Sequence, residues 1–143
     1  VRIESFAKFR DRHPEGQILI PQDEKFRRYG MNPYQGYDSS WQPFLYDGDL
    51  PPVVPPLSRV VVAEGRAWAL DFLRRIETDD GLLIEWEEGQ NSALDAAVIG
   101  EGVDIGNVTV RKKTTNGYQD ILYTVDFAFA HHAFHPDQPI IHE

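Results

Sequence analysis

The chain of 143 residues carries 23 acidic and 14 basic side chains, a formal charge of −9, and no cysteine, which excludes disulfides, zinc knuckles and thiol catalysis within it and leaves no basic stripe for nucleic acid. A chain of this size folds as one domain that buries roughly 68–70% of its extended surface, and with hydrophobic residues at 41% it has the apolar material to do so. Uninterrupted apolar runs reach only four residues, as in Val60–Ala63 and Phe127–Ala130, so no membrane-spanning segment is expected.

The sequence opens on Val1 rather than Met, and a longer parent or a processed product is expected. Ser5 is a good N-cap, Phe6 and Phe9 share a face, and Pro14 should stop a short helix at His13. Ile18-Leu19-Ile20 reads as a buried strand ended by Pro21. Residues 22–57 differ in kind, with six aromatic rings from Tyr29 to Tyr46 and a close on Pro51-Pro52-Val53-Val54-Pro55-Pro56. Linkers are Gly/Ser-rich and poor in rings, so this stretch is expected to be an ordered wrap pinned by its aromatics. Arg59–Ala63 and Arg66–Leu70 flank Glu64-Gly65 as a tight hairpin. Asp71–Ile76 reads as a short helix with Phe72, Leu73 and Ile76 on one face, and Leu82–Trp86 as a strand. Asn116-Gly117 is a hairpin signal between Val108–Lys112 and Ile121–Val125, where Val108/Val110 and Leu122/Thr124 alternate. Phe127–His135 is a last helix, stopped by Pro136.

One pattern recurs. Ile3-Glu4, eight residues, His13-Pro14-Glu15, two residues and Ile18-Leu19 are echoed by Val125-Asp126, eight residues, His135-Pro136-Asp137, two residues and Ile140-Ile141. A duplicated unit accounts for this. On that reading residues 1–21 are the tail of a first unit, 22–57 the aromatic and proline-rich wrap, and 58–143 a second unit. All would form one compact domain at the C-terminal end of a longer parent.

Several stretches resemble the prokaryotic family known as domain of unknown function 3179. They are Phe6–Gly16 (Phe-Ala-Lys-Phe-Arg-Asp-Arg-His-Pro-Glu-Gly), Arg28–Asp38 (Arg-Tyr-Gly-Met-Asn-Pro-Tyr-Gln-Gly-Tyr-Asp), Pro55–Val60, Ser92–Asp95, Gly102–Gly106 and Ala133–Asp137, in family order along nearly the whole chain. Two departures stand out. The Cys-Pro-x-Cys pair typical of the family's first half is absent, and the last unit is shorter than usual. The resemblance implies a protein exported to the periplasm or the cell exterior, or lipid-anchored, and no established activity.

Two constellations could carry chemistry. His131 and His135 have the i, i+4 spacing of zinc-binding helices, but a zinc site needs three or four ligands, which His13 or Glu143 could complete only if the fold brought them in. The competing reading is that His13 and His135 end helices, where an imidazole satisfies terminal carbonyls. In the aromatic stretch, Arg28, Tyr29, Asn32, Tyr34, Tyr37, Asp38 and Trp41 could hold a sugar or a Pro-rich peptide by stacking and hydrogen bonds, or the rings could anchor a long loop. Arg27 and Arg28 could pair with Asp23, Glu24 or Asp38, or stack on a ring. Asp95 and Asp104 are candidates for loop capping or for a polar site, and no serine carries a nucleophile signature.

The expected fold is α+β, a small mostly antiparallel sheet with two or three short helices and the long wrap across it. The expected function is a non-catalytic binding or structural module with no cofactor. Its partner would be another polypeptide, or the upstream half of its parent, met through residues 1–46. The alternatives are a metal-binding protein or metal-dependent enzyme using the C-terminal histidines, and a carbohydrate or peptide binder using the tyrosine-rich loop.

Overall fold

The computed structural model describes residues 2–23 and 25–143. Helix α1 spans Phe6–Arg12, with the Ser5 hydroxyl accepting the Lys8 N–H at 3.4 Å and His13 closing the last turn by donating its N–H to the Phe9 carbonyl at 2.9 Å. Pro14 then bars continuation. Ile18-Leu19-Ile20, expected as a buried strand, forms none, and all three side chains are exposed. The reason is the absence of a partner: a strand is held by its ladder, and no described strand lies against this segment.

The remaining strands make two four-stranded sheets where the sequence suggested one. Strands β1 (Arg59–Ala63) and β2 (Arg66–Ala69) form the expected hairpin. Glu64 (φ 46°) and Gly65 (φ 75°) both take the left-handed conformation that a two-residue turn between twisted strands demands. The first sheet has the order β7-β1-β2-β8, with β7 (Thr124–Phe127) antiparallel to β1 and β8 (Ile140–Ile141) parallel to β2. Helix α2 (Ala128–Phe134) connects those two outer strands. The second sheet is antiparallel throughout, β3 (Arg75–Glu77), β4 (Leu82–Glu87), β5 (Asn107–Thr114) and β6 (Gly117–Asp120) in chain order.

Two local readings are corrected. Asp71–Ile76 is not a helix: one 3-10 turn at Leu70–Phe72 gives way to β3, where Ile76 faces Ile84 across the ladder. The edge of β4 offers β-branched Ile76 a paired, packed position, and that pairing overrides the local helical spacing. The hairpin partner of β5 is β6 rather than Ile121–Val125, with the turn at Thr115-Asn116 and Thr114 paired to Gly117. The ladder ends as the Ile121 N–H reaches the Val110 carbonyl. The chain then crosses between sheets, exposing Leu122 and burying Tyr123 before β7 begins.

Three layers result. Val61, Ala63, Trp68 and Leu70 of the first sheet and its exit turn pack with Leu82, Ile84, Val108 and Val110 of the second. On the far side Val60, Ala67 and Ala69 meet Val54, Ala128 and Ile140. Strand β1 is therefore buried on both faces, which is why Val60–Ala63 reads as a continuous apolar run rather than an alternation. Val60 and Val61, both fully buried, contribute about 1.5–3 kcal/mol each. Helix α2 has no side-chain N-cap; its first N–H groups donate instead to the Ser58 carbonyl (Ala128, 2.8 Å) and the Pro56 carbonyl (Phe129, 2.9 Å). That satisfies the donors a helix start leaves open.

Trp86 sets one tight constraint. Its indole N–H donates to the Ile105 carbonyl at 2.8 Å, the Arg74 guanidinium lies 4.8 Å over the ring, and Gly106 sits beneath it at φ 75°. A Cβ on Gly106 would fall inside the indole. Gly106→Ala is expected to cost about 3 kcal/mol from the left-handed backbone and the steric overlap together. Gly65→Asn, at a left-handed turn where a Cβ meets nothing within 4 Å, is expected to cost under about 1 kcal/mol. Urea midpoints of the two variants check the contrast.

Candidate functional site

The wrap is fastened to the loop that joins β4 to β5. Asn32 donates its backbone N–H to the Ala97 carbonyl at 2.8 Å, Gly36 to Asp95 at 2.7 Å and Tyr37 to Leu94 at 3.0 Å, and Ile99 returns one to the Gly30 carbonyl at 2.8 Å. Carboxylates cap the loop as expected. Asp95 accepts the Val103 N–H at 2.8 Å, and Asp104 accepts those of Gly89 (2.7 Å), Gln90 (3.1 Å) and Gly106 (2.8 Å). The Gly89 bond first, with those of Gly106 and Gln90, holds Asp104 below the usual carboxylate range.

Where wrap, loop and β1 meet, three polar side chains are taken out of water together. Arg59, the first residue of β1, donates from Nη2 to both oxygens of Asp38 (3.0 and 3.1 Å) and to Ser92 Oγ at 3.1 Å. The Ser92 hydroxyl in turn donates to Asp38 and accepts the Leu94 N–H at 3.1 Å. Ser92 is fully buried, and about a tenth of the Arg59 and Asp38 side chains is exposed. The guanidinium also lies 5.2 Å over the Phe127 ring of β7. Removing one partner of such a pair costs about 3–5 kcal/mol, because the other charge stays buried and uncompensated. An open cleft of about 430 Å³ borders the cluster, lined among others by Asp38, Trp41, Leu57, Asp71 and Ile105.

The seven residues singled out in the aromatic stretch do not share one cleft. Asn32 is buried and structural, its Nδ2 donating to the Ala96 carbonyl at 3.1 Å and its Oδ1 accepting the Tyr34 N–H at 2.7 Å. Tyr37 sets its ring edge-on to Phe127 at 5.9 Å. Asp38 belongs to the buried cluster, with Trp41 on the rim of its cleft. Arg28 and Tyr29 line a separate shallow depression with Met31, and the Tyr34 ring is exposed. Asp38 pairs with Arg59 rather than Arg27 or Arg28, Asp23 accepts the Lys25 N–H, and Glu24 lies outside the described residues. The wrap is anchored by Asn32, Pro43, Pro51, Val54 and Leu57, all buried, more than by its rings. Among the described residues the wrap's rings that pack on other rings are Tyr37 and Tyr46, the latter 5.1 Å from Phe129, while Tyr29, Tyr34, Trp41 and Phe44 stand exposed.

Sequence reasoning missed Arg59 and Ser92 as members of one cluster, and no short-range signal joins them to Asp38. Their one shared mark is that all three stand within stretches that carry the family resemblance, and those stretches converge here. The family model described as a protein of unknown function (DUF3179) matches residues 1–138. The chain belongs to the DUF3179 family. Neither a curated protein nor a solved structure matches it.

Four of the five histidines of this DUF3179 chain, His13, His131, His132 and His135, lie on or at the end of a helix. His13 and His135 are both C-cap residues, and their imidazoles lie against Phe9 (5.4 Å) and His131 (5.2 Å) instead of bonding terminal carbonyls. His131 is 4% exposed, with Nε2 buried and unpartnered. Among the described residues no group of three or more His, Asp or Glu side chains converges as a metal ion requires.

Burial first, then the neighbouring His135, lowers the His131 pKa from the ordinary 6.5; Asp126 opposes the shift and His132 adds to it. The folded state therefore binds fewer protons than the unfolded state just below pH 6.5. The part of its stability that rests on neutral His131 is fully present above that value and is lost as the pH falls below it. The urea midpoint is expected to drop on acidification from pH 7 to pH 5, and His131→Phe to flatten that decline. An unchanged slope in His131→Phe contradicts the assignment.

Proposed function

We propose that this DUF3179 chain is a non-catalytic module that contacts another polypeptide through its N-terminal third, outside the cytoplasm as the resemblance implies. The observation that carries this reading is the distribution of exposed apolar side chains. Among the described residues, 13 of the 20 large exposed hydrophobics lie between Phe6 and Val53, although that stretch is little more than a third of the chain. Leu19, Phe26, Leu45, Trp41, Phe44 and Ile20 head the group. Single exposed hydrophobics are ordinary, whereas so many along one stretch of chain support an interaction role for that stretch. Trp and Tyr, with Met31 and Arg28 among them, are the side chains enriched at such contacts.

The buried cluster supports the non-catalytic side of the reading. The Ser92 hydroxyl points its proton at Asp38, which is already bound by Arg59, and no imidazole contacts it. A serine so placed has no general base free to activate it. Asp38, Arg59 and Ser92 occupy one another, and their role is to hold the wrap that presents the aromatic surface. No helix among the described residues is long and apolar enough to cross a membrane.

A photo-crosslinking residue at Leu19 or Trp41, introduced in the organism that makes the protein, tests the reading. Phe134, as exposed as Trp41 and bordering a depression that no residue of the N-terminal third lines, is the control. Polypeptide adducts identified by mass spectrometry are expected at Leu19 and Trp41 and not at Phe134. Equal yields at all three positions contradict the proposal.

A further inference from the structure

Helices α1 and α2 have seven residues each and end alike. The cap is at φ −133°, ψ 71° in His13 and φ −137°, ψ 62° in His135. In both, the cap N–H donates to the carbonyl four residues back at 2.9 Å, and the histidine ring packs against that residue's ring. The sequence echo thus has a structural counterpart, with Ile3, Phe6, Phe9, Ile18 and Leu19 standing at one constant offset from Val125, Ala128, His131, Ile140 and Ile141.

The surroundings of the two copies differ. Downstream, the β1–β2 hairpin sits between β7 and β8 and covers the α2 face between them, leaving Ala128 0%, His131 4% and Ile140 5% exposed. Upstream, Phe6 is 58% and Ile18 55% exposed, and Phe9 is half-buried. Helix α1 buries no residue fully. It is held through polar groups, by Lys8 to Glu87, Arg12 to Asp120 and Ser5 N–H to Asn107 Oδ1. Among the described residues, Gln17–Gln22 make no backbone–backbone hydrogen bond. Ala128 and Ile140 are covered in one copy, and their counterparts Phe6 and Ile18 are apolar and exposed in the other.

Building on the polypeptide-contact reading, we propose that residues 2–20 are the docking surface for a β-hairpin carried upstream of Val1 in the same parent chain. That hairpin pairs antiparallel with Ile3-Glu4 and parallel with Ile18-Leu19, over Phe6 and Phe9, as β1–β2 pairs with β7 and β8. Chain order favours this source, since the downstream hairpin also precedes the strand–helix–strand unit it completes. A second copy of the chain is a poor donor, because both edges of its β1–β2 hairpin are already occupied. The chemistry expected of the occupant is a β-branched strand and an Ala-rich strand about a left-handed two-residue turn, in the pattern of Arg59–Ala69.

The test joins a copy of residues 57–70 to the N-terminus of the full 143-residue chain by a flexible Gly/Ser linker, and follows amide hydrogen exchange. The Ile18–Ile20 amides are expected to slow by about tenfold or more relative to the unfused chain. Ile18→Lys in the fusion should return them to the unfused rate. The amides of β4 report that each protein is folded. Unchanged exchange at Ile18–Ile20 in a folded fusion overturns the proposal. So does slow exchange in the unfused chain accompanied by a dimer mass in sedimentation, which would make a second copy the occupant. If the fusion fails while Leu19 and Trp41 still crosslink to polypeptide, the hairpin geometry is wrong and the broader reading stands.

Discussion

The Arg59 guanidinium is the point on which three otherwise separate stretches of chain agree. It begins the strand that is buried on both faces, it is bound by Asp38 at the end of the tyrosine-rich segment, and it reaches Ser92 at the start of the β4–β5 loop. Ion pairs of this kind add little net stability, since desolvation offsets the attraction. Their effect is on which arrangement is allowed. Any placement of the wrap that leaves Asp38 elsewhere strands one buried charge, so the cluster selects one pose for a long irregular segment. The backbone bonds from Gly30–Tyr37 to Leu94–Ile99 then complete it.

That constraint explains why so many rings can stand in water. A long loop ordinarily stays ordered by packing its own side chains. Here the fastening is done by polar groups and by Pro43, Pro51, Val54 and Leu57, which frees Tyr29, Tyr34, Trp41 and Phe44 from structural duty. Helix α1 follows the same logic, tied by ion pairs to the second sheet while Phe6 remains exposed. The two regions give the N-terminal third a surface that is held in place and still apolar.

What the sequence made legible were features set by neighbouring residues. The Ser5 cap, the His-Pro helix stops, the Glu64-Gly65 turn and strand β4 each depend on a few adjacent side chains, and each is present. Features set by distant partners were misread. Asp71–Ile76 has a helical spacing but joins β4 as an edge strand, and Ile121–Val125 splits between two sheets because β1 also needs a neighbour. Ile18–Ile20 has strand composition without a strand to pair with. The candidate site divides the same way. Asp38 stood out in the tyrosine-rich stretch, but its partners Arg59 and Ser92 lie 21 and 54 residues away, and nothing in their local sequence announces the contact. Family likeness marked all three stretches without saying why they belong together.

Hydrogen exchange in Arg59→Met addresses the central claim most directly, because methionine keeps the apolar stem and removes the guanidinium. If the cluster sets the pose of the wrap, the amides of Asn32, Gly36, Tyr37 and Ile99 should lose protection together while those of β4 and β5 keep theirs. Retained protection at those four positions would contradict the account, and so would a uniform loss that includes the second sheet.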